Sequence, residues 1–279
     1  DERPVGNYDT LPMSWRRHSG DGFPIFLEGR FDTETGHLAP PSFRLDLNGG
    51  SLAYHYEGQD IAVRPACDYL VVAWIKTAGL KNARAWFSAF FLDRKNIRIQ
   101  GTEQRSSLVG DTDSEGGWKQ ITLQLRCNLK ETRYLGLSVW LGQKRTWNPT
   151  LESPYIIHQE DIKGTVWFDD VAVYRMPRIT LSSSHVGNVF ADQEPVEIYP
   201  EVTDPDGLNL EARLNVSSED ESFKDERTVP VQLLGAQSPQ PLVYRDLPIG
   251  SYRVELTTRT RNQVLMRQSL RFLRVAART

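Results

Sequence analysis

The carboxylates best placed to do chemistry in this 279-residue chain stand side by side in Gly164-Thr-Val-Trp-Phe-Asp-Asp-Val-Ala-Val-Tyr-Arg-Met-Pro177. The stretch reads as a β-strand, and strand side chains alternate between faces. Trp167, Asp169, Val171 and Val173 then share one face, and Phe168, Asp170, Ala172 and Tyr174 the other. If Val171 and Val173 face a core, Asp169 starts on the core side. A charge there needs a hydrogen-bond cluster, a cation or a place at the sandwich rim. On this parity Asp169 and Asp170 point apart, so they do not flank one glycosidic bond as a hydrolase pair must. The five histidines, His18, His37, His55, His158 and His185, have no metal-ligand spacing. Ser182-Ser-Ser-His185 lies at a strand end without a nucleophile elbow, and no glycine loop is built to cradle phosphate. The sequence offers no catalytic machinery.

Recognition chemistry is easier to read. Where Leu135, Leu137 and Val139 face a core, Tyr134, Gly136, Ser138 and Trp140 face away. The same alternation turns Gln120, Thr122, Gln124 and Arg126 outward, and sets Trp74 and Lys76 opposite Tyr69, Val71, Ala73 and Ile75. Trp86 sits in a strand apolar on both faces, so its side is left open. Trp147, in Arg145-Thr-Trp-Asn-Pro149, is either a rim platform or the anchor of its own loop. Aromatic rings stack on the apolar faces of pyranoses, while amides and guanidinium groups bond the hydroxyls. The ligand-binding candidates are therefore Trp74, Trp86, Gln124, Arg126, Tyr134, Trp140 and Trp147. The competing reading covers these aromatics with the N-terminal segment or a second domain.

The elements that must position these residues are strands. Residues 1–40 are rich in Pro, Gly and charge with scattered aromatic anchors, and read as an extended segment wrapped over a sheet. From Ser42 onward, short alternating runs recur at the spacing of an all-β sandwich, and no helix-period segment of useful length competes. After Pro177 the texture changes, since all seven tryptophans lie before it. The remaining 102 or so residues carry about seven short strands separated by turns such as Asp204-Pro-Asp-Gly207, enough for one immunoglobulin-like sandwich. The expected domains are 1–177 and 178–279.

A formal charge of -3 argues against nucleic acid or an anionic membrane as partner. No apolar run reaches the roughly 20 residues of a membrane helix. The chain begins at Asp1 without an initiator methionine, as a processed or trimmed protein would. Cys67 and Cys127 are too few for a disulfide framework. One bridge and two buried free thiols both remain open.

Tyr69…Trp74-Ile-Lys76, Asp93 in Phe91-Leu-Asp-Arg94, Gly117-Trp118 and Val166-Trp-Phe-Asp-Asp-Val-Ala-Val173 resemble a jelly-roll carbohydrate-binding module of the galactose-binding-like superfamily. The resemblance covers about Ser42 to Arg175, and the second domain resembles the immunoglobulin or fibronectin-type spacers beside such modules. It implies a non-catalytic glycan-binding module plus spacer, outside the cell, in the periplasm or at the cell surface, and further domains belonging to a glycan-processing protein. It also implies a structural calcium at Asp169, with oxygen partners drawn from Asp9, Glu28, Asp32 and Glu34. Asp111-Thr-Asp-Ser-Glu-Gly-Gly117 lacks the spacing of a calcium loop and reads as a solvated turn before Trp118. The alternative function is a structural or protein-interaction pair of sandwiches without glycan binding.

Overall fold

The computed structural model describes residues 14–65, 67–111, 117–148, 162–233, 240–261 and 263–277. Two compact units divide the chain, Asp1–Tyr174 and Arg175–Thr279. Both are β-sandwiches, the class that the alternating pattern predicts.

In the first unit one sheet runs in the order β1-β4-β9-β6-β7, built from β1 (Trp15–Arg17), β4 (Leu52–Tyr56), β9 (Tyr134–Gly142), β6 (Arg84–Leu92) and β7 (Gln104–Arg105). The facing sheet runs β2-β3-β10-β5-β8, from β2 (Gly29–Asp32), β3 (Ser42–Asn48), β10 (Lys163–Met176), β5 (Asp68–Ala78) and β8 (Lys119–Arg126). The N-terminal segment does more than wrap: β1 and β2 each complete an outer edge of one sheet. Between the sheets lie Leu45, Leu47, Val71, Ile75, Phe87, Phe91, Ile121, Leu125, Leu135 and Val139, all buried. Each comes from the apolar half of an alternating strand, so hydrophobic transfer fixes which way every strand faces. Tyr54 joins the core as well, and its hydroxyl accepts the Gly29 N–H at 2.8 Å, which leaves no polar atom wasted.

β10 corrects the sequence reading. Val166 and Phe168 are the buried residues, so Trp167 and Asp169 face outward rather than to the core. Asp170 has φ of 47°, a left-handed kink that breaks the alternation, and Val171 beyond it is 39% exposed. A left-handed residue in mid-strand ends the regular two-residue alternation of faces.

Cys67 and Cys127 are both buried. The β5–β8 ladder continues past its ends to bring them together, and the Cys127 N–H donates to the Cys67 carbonyl at 3.0 Å. No disulfide joins the pair. The outward Arg126 reaches back to the carboxylate of Asp68, itself 1% exposed, at 3.3 Å.

The second unit packs β11 (Arg178–Ser183), β13 (Val196–Thr203), β16 (Val231–Gln232) and β17 (Leu242–Tyr244) against a five-stranded sheet. That sheet has the order β12-β19-β18-β14-β15, from β12 (Val189–Ala191), β19 (Gln263–Val275), β18 (Gly250–Thr260), β14 (Glu211–Ser218) and β15 (Lys224–Val229). Its core includes Ile198, Val202, Leu214, Val216, Val254, Leu256 and the stacked rings of Tyr252 and Phe272.

Candidate functional site

The residues singled out for ligand binding fall on two different sheets. Trp74 on β5 and Gln124 and Arg126 on β8 point outward from the β2-β3-β10-β5-β8 sheet. Trp86 on β6 and Tyr134 and Trp140 on β9 belong to the other sheet, and Trp147 lies in the helical turn Lys144–Trp147 after it. No single ligand contacts all seven.

The second of these faces is covered. Trp86 and Trp140 stand opposite each other in the β6–β9 ladder and stack with ring centres 5.3 Å apart and planes 7° apart. Phe23 and His18 pack edge-on or tilted over Trp140, and Arg105 lies over Trp86. The Trp140 indole N–H donates to Ser88 Oγ at 3.2 Å. Gly136, expected outside, is buried because Phe90 lies directly over it; a Cβ there would come within 2.3 Å of the ring. Beneath the cover, His18 Nδ1 and His55 Nε2 are 2.9 Å apart, and His55 Nδ1 is 2.7 Å from Ser138 Oγ. Burial first, then the charges of His18 and Arg98, pushes the His55 imidazole down to about 4. Trp147 has the Arg84 guanidinium over its ring, 5.8 Å from the centroid.

The outward face of the β2-β3-β10-β5-β8 sheet is different. Trp167, which sequence parity placed inside, stands half-buried at its centre. Its indole N–H donates to Asp32 Oδ2 at 2.8 Å, and Arg44 and Lys76, from the two neighbouring strands, lie 5.2 and 5.4 Å from its ring centroid. Across β3 and β2 the polar groups interlock. Arg30 pairs with Asp46 at 2.9 Å, Arg44 with Asp46 at 2.9 Å and with Asp32 at 3.2 Å, and Thr165 donates to Asp46 at 2.7 Å. Burial alone would raise the Asp32 carboxyl, but hydrogen bonds from Trp167, the Glu34 and Thr35 N–H groups and Arg44 outweigh it and bring it to about 2. On the other side of Trp167, Trp74 stacks on His37 at 3.8 Å with planes 16° apart, and Trp118 meets His37 edge-on. Gln120, Thr122 and Gln124 continue the face as exposed residues. The result is an open polar surface with three indoles, fixed guanidinium groups and amides.

The two acidic neighbours do not point apart as the strand parity implies. The kink at Asp170 lets both reach His37: the His37 N–H donates to Asp169 Oδ2 at 2.6 Å, and His37 Nδ1 donates to Asp170 Oδ2 at 2.7 Å. Asp169 Oδ1 also accepts the Asp170 N–H at 2.8 Å. Asp169 therefore gains its compensation from backbone N–H groups. Calcium needs six to eight oxygens, and both oxygens of Asp169 face N–H donors. Asp32 is likewise taken up by N–H donors, Glu28 is exposed, and Asp9 lies outside the described residues. Among the described residues no group of three or more His, Cys, Asp and Glu side chains is arranged to hold a metal. These residues do not fit a calcium ion at Asp169. Chelator is expected to leave the thermal midpoint of the protein unchanged; a fall in midpoint that added calcium reverses would overturn this. Residues 112–116 of the acidic turn before Trp118 also lie outside the described residues.

A cleft of about 370 Å³ lies between the Gly20–Ile25 loop, the Gly50–Ser51 turn and Gln143–Thr146. Its one aromatic, Phe23, is already packed on His18. Among the described residues no helix is long and apolar enough to cross a membrane.

No protein-family model matches the chain, and no curated protein matches it. Among solved structures, the CBM22-2 xylan-binding domain from Paenibacillus barcinonensis is similar over 60% of this chain and 94% of its own, at 10% identity and a TM-score of 0.38. The CBM22-1–GH10 modules of a Clostridium thermocellum endo-1,4-beta-D-xylanase align over 58% of this chain and 26% of theirs, at 12% identity and a TM-score of 0.37. A beta-D-mannosidase from Dictyoglomus thermophilum aligns over 80% of this chain and 29% of its own, at 9% identity and a TM-score of 0.29. Likenesses this distant assign no ligand to this chain.

Proposed function

We propose that the chain is a non-catalytic carbohydrate-binding protein that docks a neutral glycan along the outward face of the β2-β3-β10-β5-β8 sheet. The observation that carries this reading is Trp167, held by Asp32 between Arg44 and Lys76 in the middle of an open row of polar side chains. The indole supplies an apolar edge and face for a pyranose. Lys76 has a flexible stem that a sugar displaces without disturbing the sheet. Arg30, Arg44, Thr165 and Gln120 supply donors and acceptors for hydroxyls, and bonds to Asp46 hold the first three before the ligand arrives, which lowers the entropy lost on binding. No step of covalent chemistry is assigned to Asp169, both of whose oxygens accept backbone N–H groups, or to Asp170, which holds His37 through Oδ2. In this reading the second unit is an immunoglobulin-like spacer, and the chain is the accessory part of a larger secreted or surface glycan-processing protein.

The test is thermal melting against a panel of soluble neutral polysaccharides. A ligand that binds only the folded state raises the midpoint by mass action, about 2.7 kcal/mol at a hundredfold excess over Kd. At least one polysaccharide is expected to raise the midpoint of the wild type. If none does, the structural reading takes its place.

A further inference from the structure

The second unit carries a charge pattern on the outward face of its five-stranded sheet that a passive spacer does not need. Arg253 on β18 and Arg271 on β19 are direct cross-strand partners. Two rows away, Arg213 and Arg267 flank Thr257 on either side. One carboxylate stands between these rows: Glu255 lies 3.8 Å from Arg253 and 3.6 Å from Arg267. Arg213 is offset by Glu226 at 2.9 Å and Glu211 at 3.9 Å. Arg271 forms no ion pair among the described residues and is exposed. The side chains of Arg253 and Arg267 are 55% and 58% exposed. Like charges directly opposite on neighbouring strands destabilise a sheet, so this arrangement has a cost that an anion bridging the two guanidinium groups removes.

The chemistry of that anion follows from the donors. Guanidinium groups on adjacent strands, with Cβ atoms about 5 Å apart, match the two oxygens of a carboxylate or a sulfate. A second cation, Arg267, lies four residues along the same strand, about 13 Å away, so a polymer carrying repeated anions engages both points. The aromatics of these strands, Tyr252 and Phe272, are turned into the core. Nucleobase stacking needs outward rings, and these strands turn theirs inward. We propose that this face of the second unit, centred on Arg253 and Arg271, binds an acidic polysaccharide, carboxylated or sulfated, independently of the face around Trp167.

The full chain would be run by affinity electrophoresis through gels containing polygalacturonate, dextran sulfate, neutral dextran or duplex DNA, at low and raised salt. Retardation is expected in at least one of the two acidic polysaccharides and not in neutral dextran, and to weaken with salt; which acidic polymer retards it says whether carboxylate or sulfate is the ligand. Arg253→Gln and Arg271→Gln are each expected to weaken binding about tenfold, and Glu255→Gln to tighten it. Arg271 is exposed and faces a like charge, so R271Q should melt no lower than the wild type, which separates a loss of binding from a loss of fold. The proposal is overturned if neither acidic polymer retards the protein, if the arginine variants bind as the wild type does, or if duplex DNA is bound more tightly than both. Trp167→Ala is expected to leave acidic-polymer binding unchanged; a loss in that variant would move the site to the first unit and overturn the assignment, whereas the neutral-glycan reading stands or falls on the first unit alone.

Discussion

Trp167→Ala is expected to weaken neutral-glycan binding by at least thirtyfold, while Trp140→Ala leaves it unchanged and instead destabilises the fold. The two residues are both tryptophans on strands of the same sandwich, yet they face opposite ways. Trp167 stands on the open face with its N–H on Asp32 and cations on either side. Removing a central aromatic from a recognition surface commonly costs about 2 kcal/mol or more of binding, which is a factor of about thirty. Its replacement also frees Asp32 and Arg44, so Trp167→Phe is the control that keeps the ring and loses the hydrogen bond. Trp140 is stacked on Trp86 and roofed by His18 and Phe23. Deleting such a ring leaves a void that the paired indole cannot fill, at a cost of about 3 kcal/mol. Calorimetric titration with the polysaccharide that raises the wild-type midpoint, together with urea melts of each variant, checks both halves. Equal losses of affinity in the two variants would place the ligand elsewhere than on the outward face of the β2-β3-β10-β5-β8 sheet.

The reason the sequence favoured Trp140 lies in what alternation can report. A period of two says which side chains of a strand share a face. For β8 this was enough: Ile121, Leu123 and Leu125 are buried, and Gln120, Thr122 and Gln124 are exposed. It does not say which of two sheets the strand joins, and β9 pairs with β4 and β6, away from β5 and β8. Outward residues from the two sheets were therefore assembled into one imagined surface, although they lie on opposite sides of the sandwich. What covers a face is equally invisible locally, because His18, Phe23 and Arg105 reach Trp86 and Trp140 from distant parts of the chain.

Trp167 was missed for a reason that the sequence did contain. Val166 and Phe168 are apolar at even positions and Val171 and Val173 at odd ones, so no regular strand buries both pairs. The structure buries only the first pair: the positive φ of Asp170 breaks the alternation, and Val171 beyond it is 39% exposed. Asp and Asn tolerate that conformation better than most residues. Anchoring the parity on the first apolar pair puts Trp167 and Asp169 outside; anchoring it on the second reverses every residue of the strand. The all-β class and the change of texture near Pro177 depended on no such choice.

Acid is expected to loosen the covered side of the first unit before it affects the carboxylates of the open face. His55 sits under the N-terminal segment, between His18 and Ser138, with Arg98 and Glu103 as further charged neighbours and Arg17 beside His18. Two neutral imidazoles 2.9 Å apart share one N–H between them, and a second proton sets two donors against each other. Burial and the charges of His18 and Arg98 hold the folded pKa of His55 at about 4, below the 6.5 of an unconstrained imidazole. The unfolded chain then binds more protons between these values. Stability is fully present above pH 6.5 and falls as the pH drops towards 4. The shift converts to at most about 3 kcal/mol, and partial exposure of the pair reduces it to about 1–2 kcal/mol. Asp32 responds at lower pH: its folded value of about 2 lies below the ordinary 3.8, so its contribution is present above 3.8 and is lost as the pH falls from there towards 2. Urea midpoints measured at pH 7.5 and 4.5 separate the two windows. The wild type should lose stability between them, and His55→Gln should lose clearly less, since an amide keeps a bond to Ser138 without titrating. An acid loss of the same size in His55→Gln would assign the sensitivity to groups other than this imidazole pair.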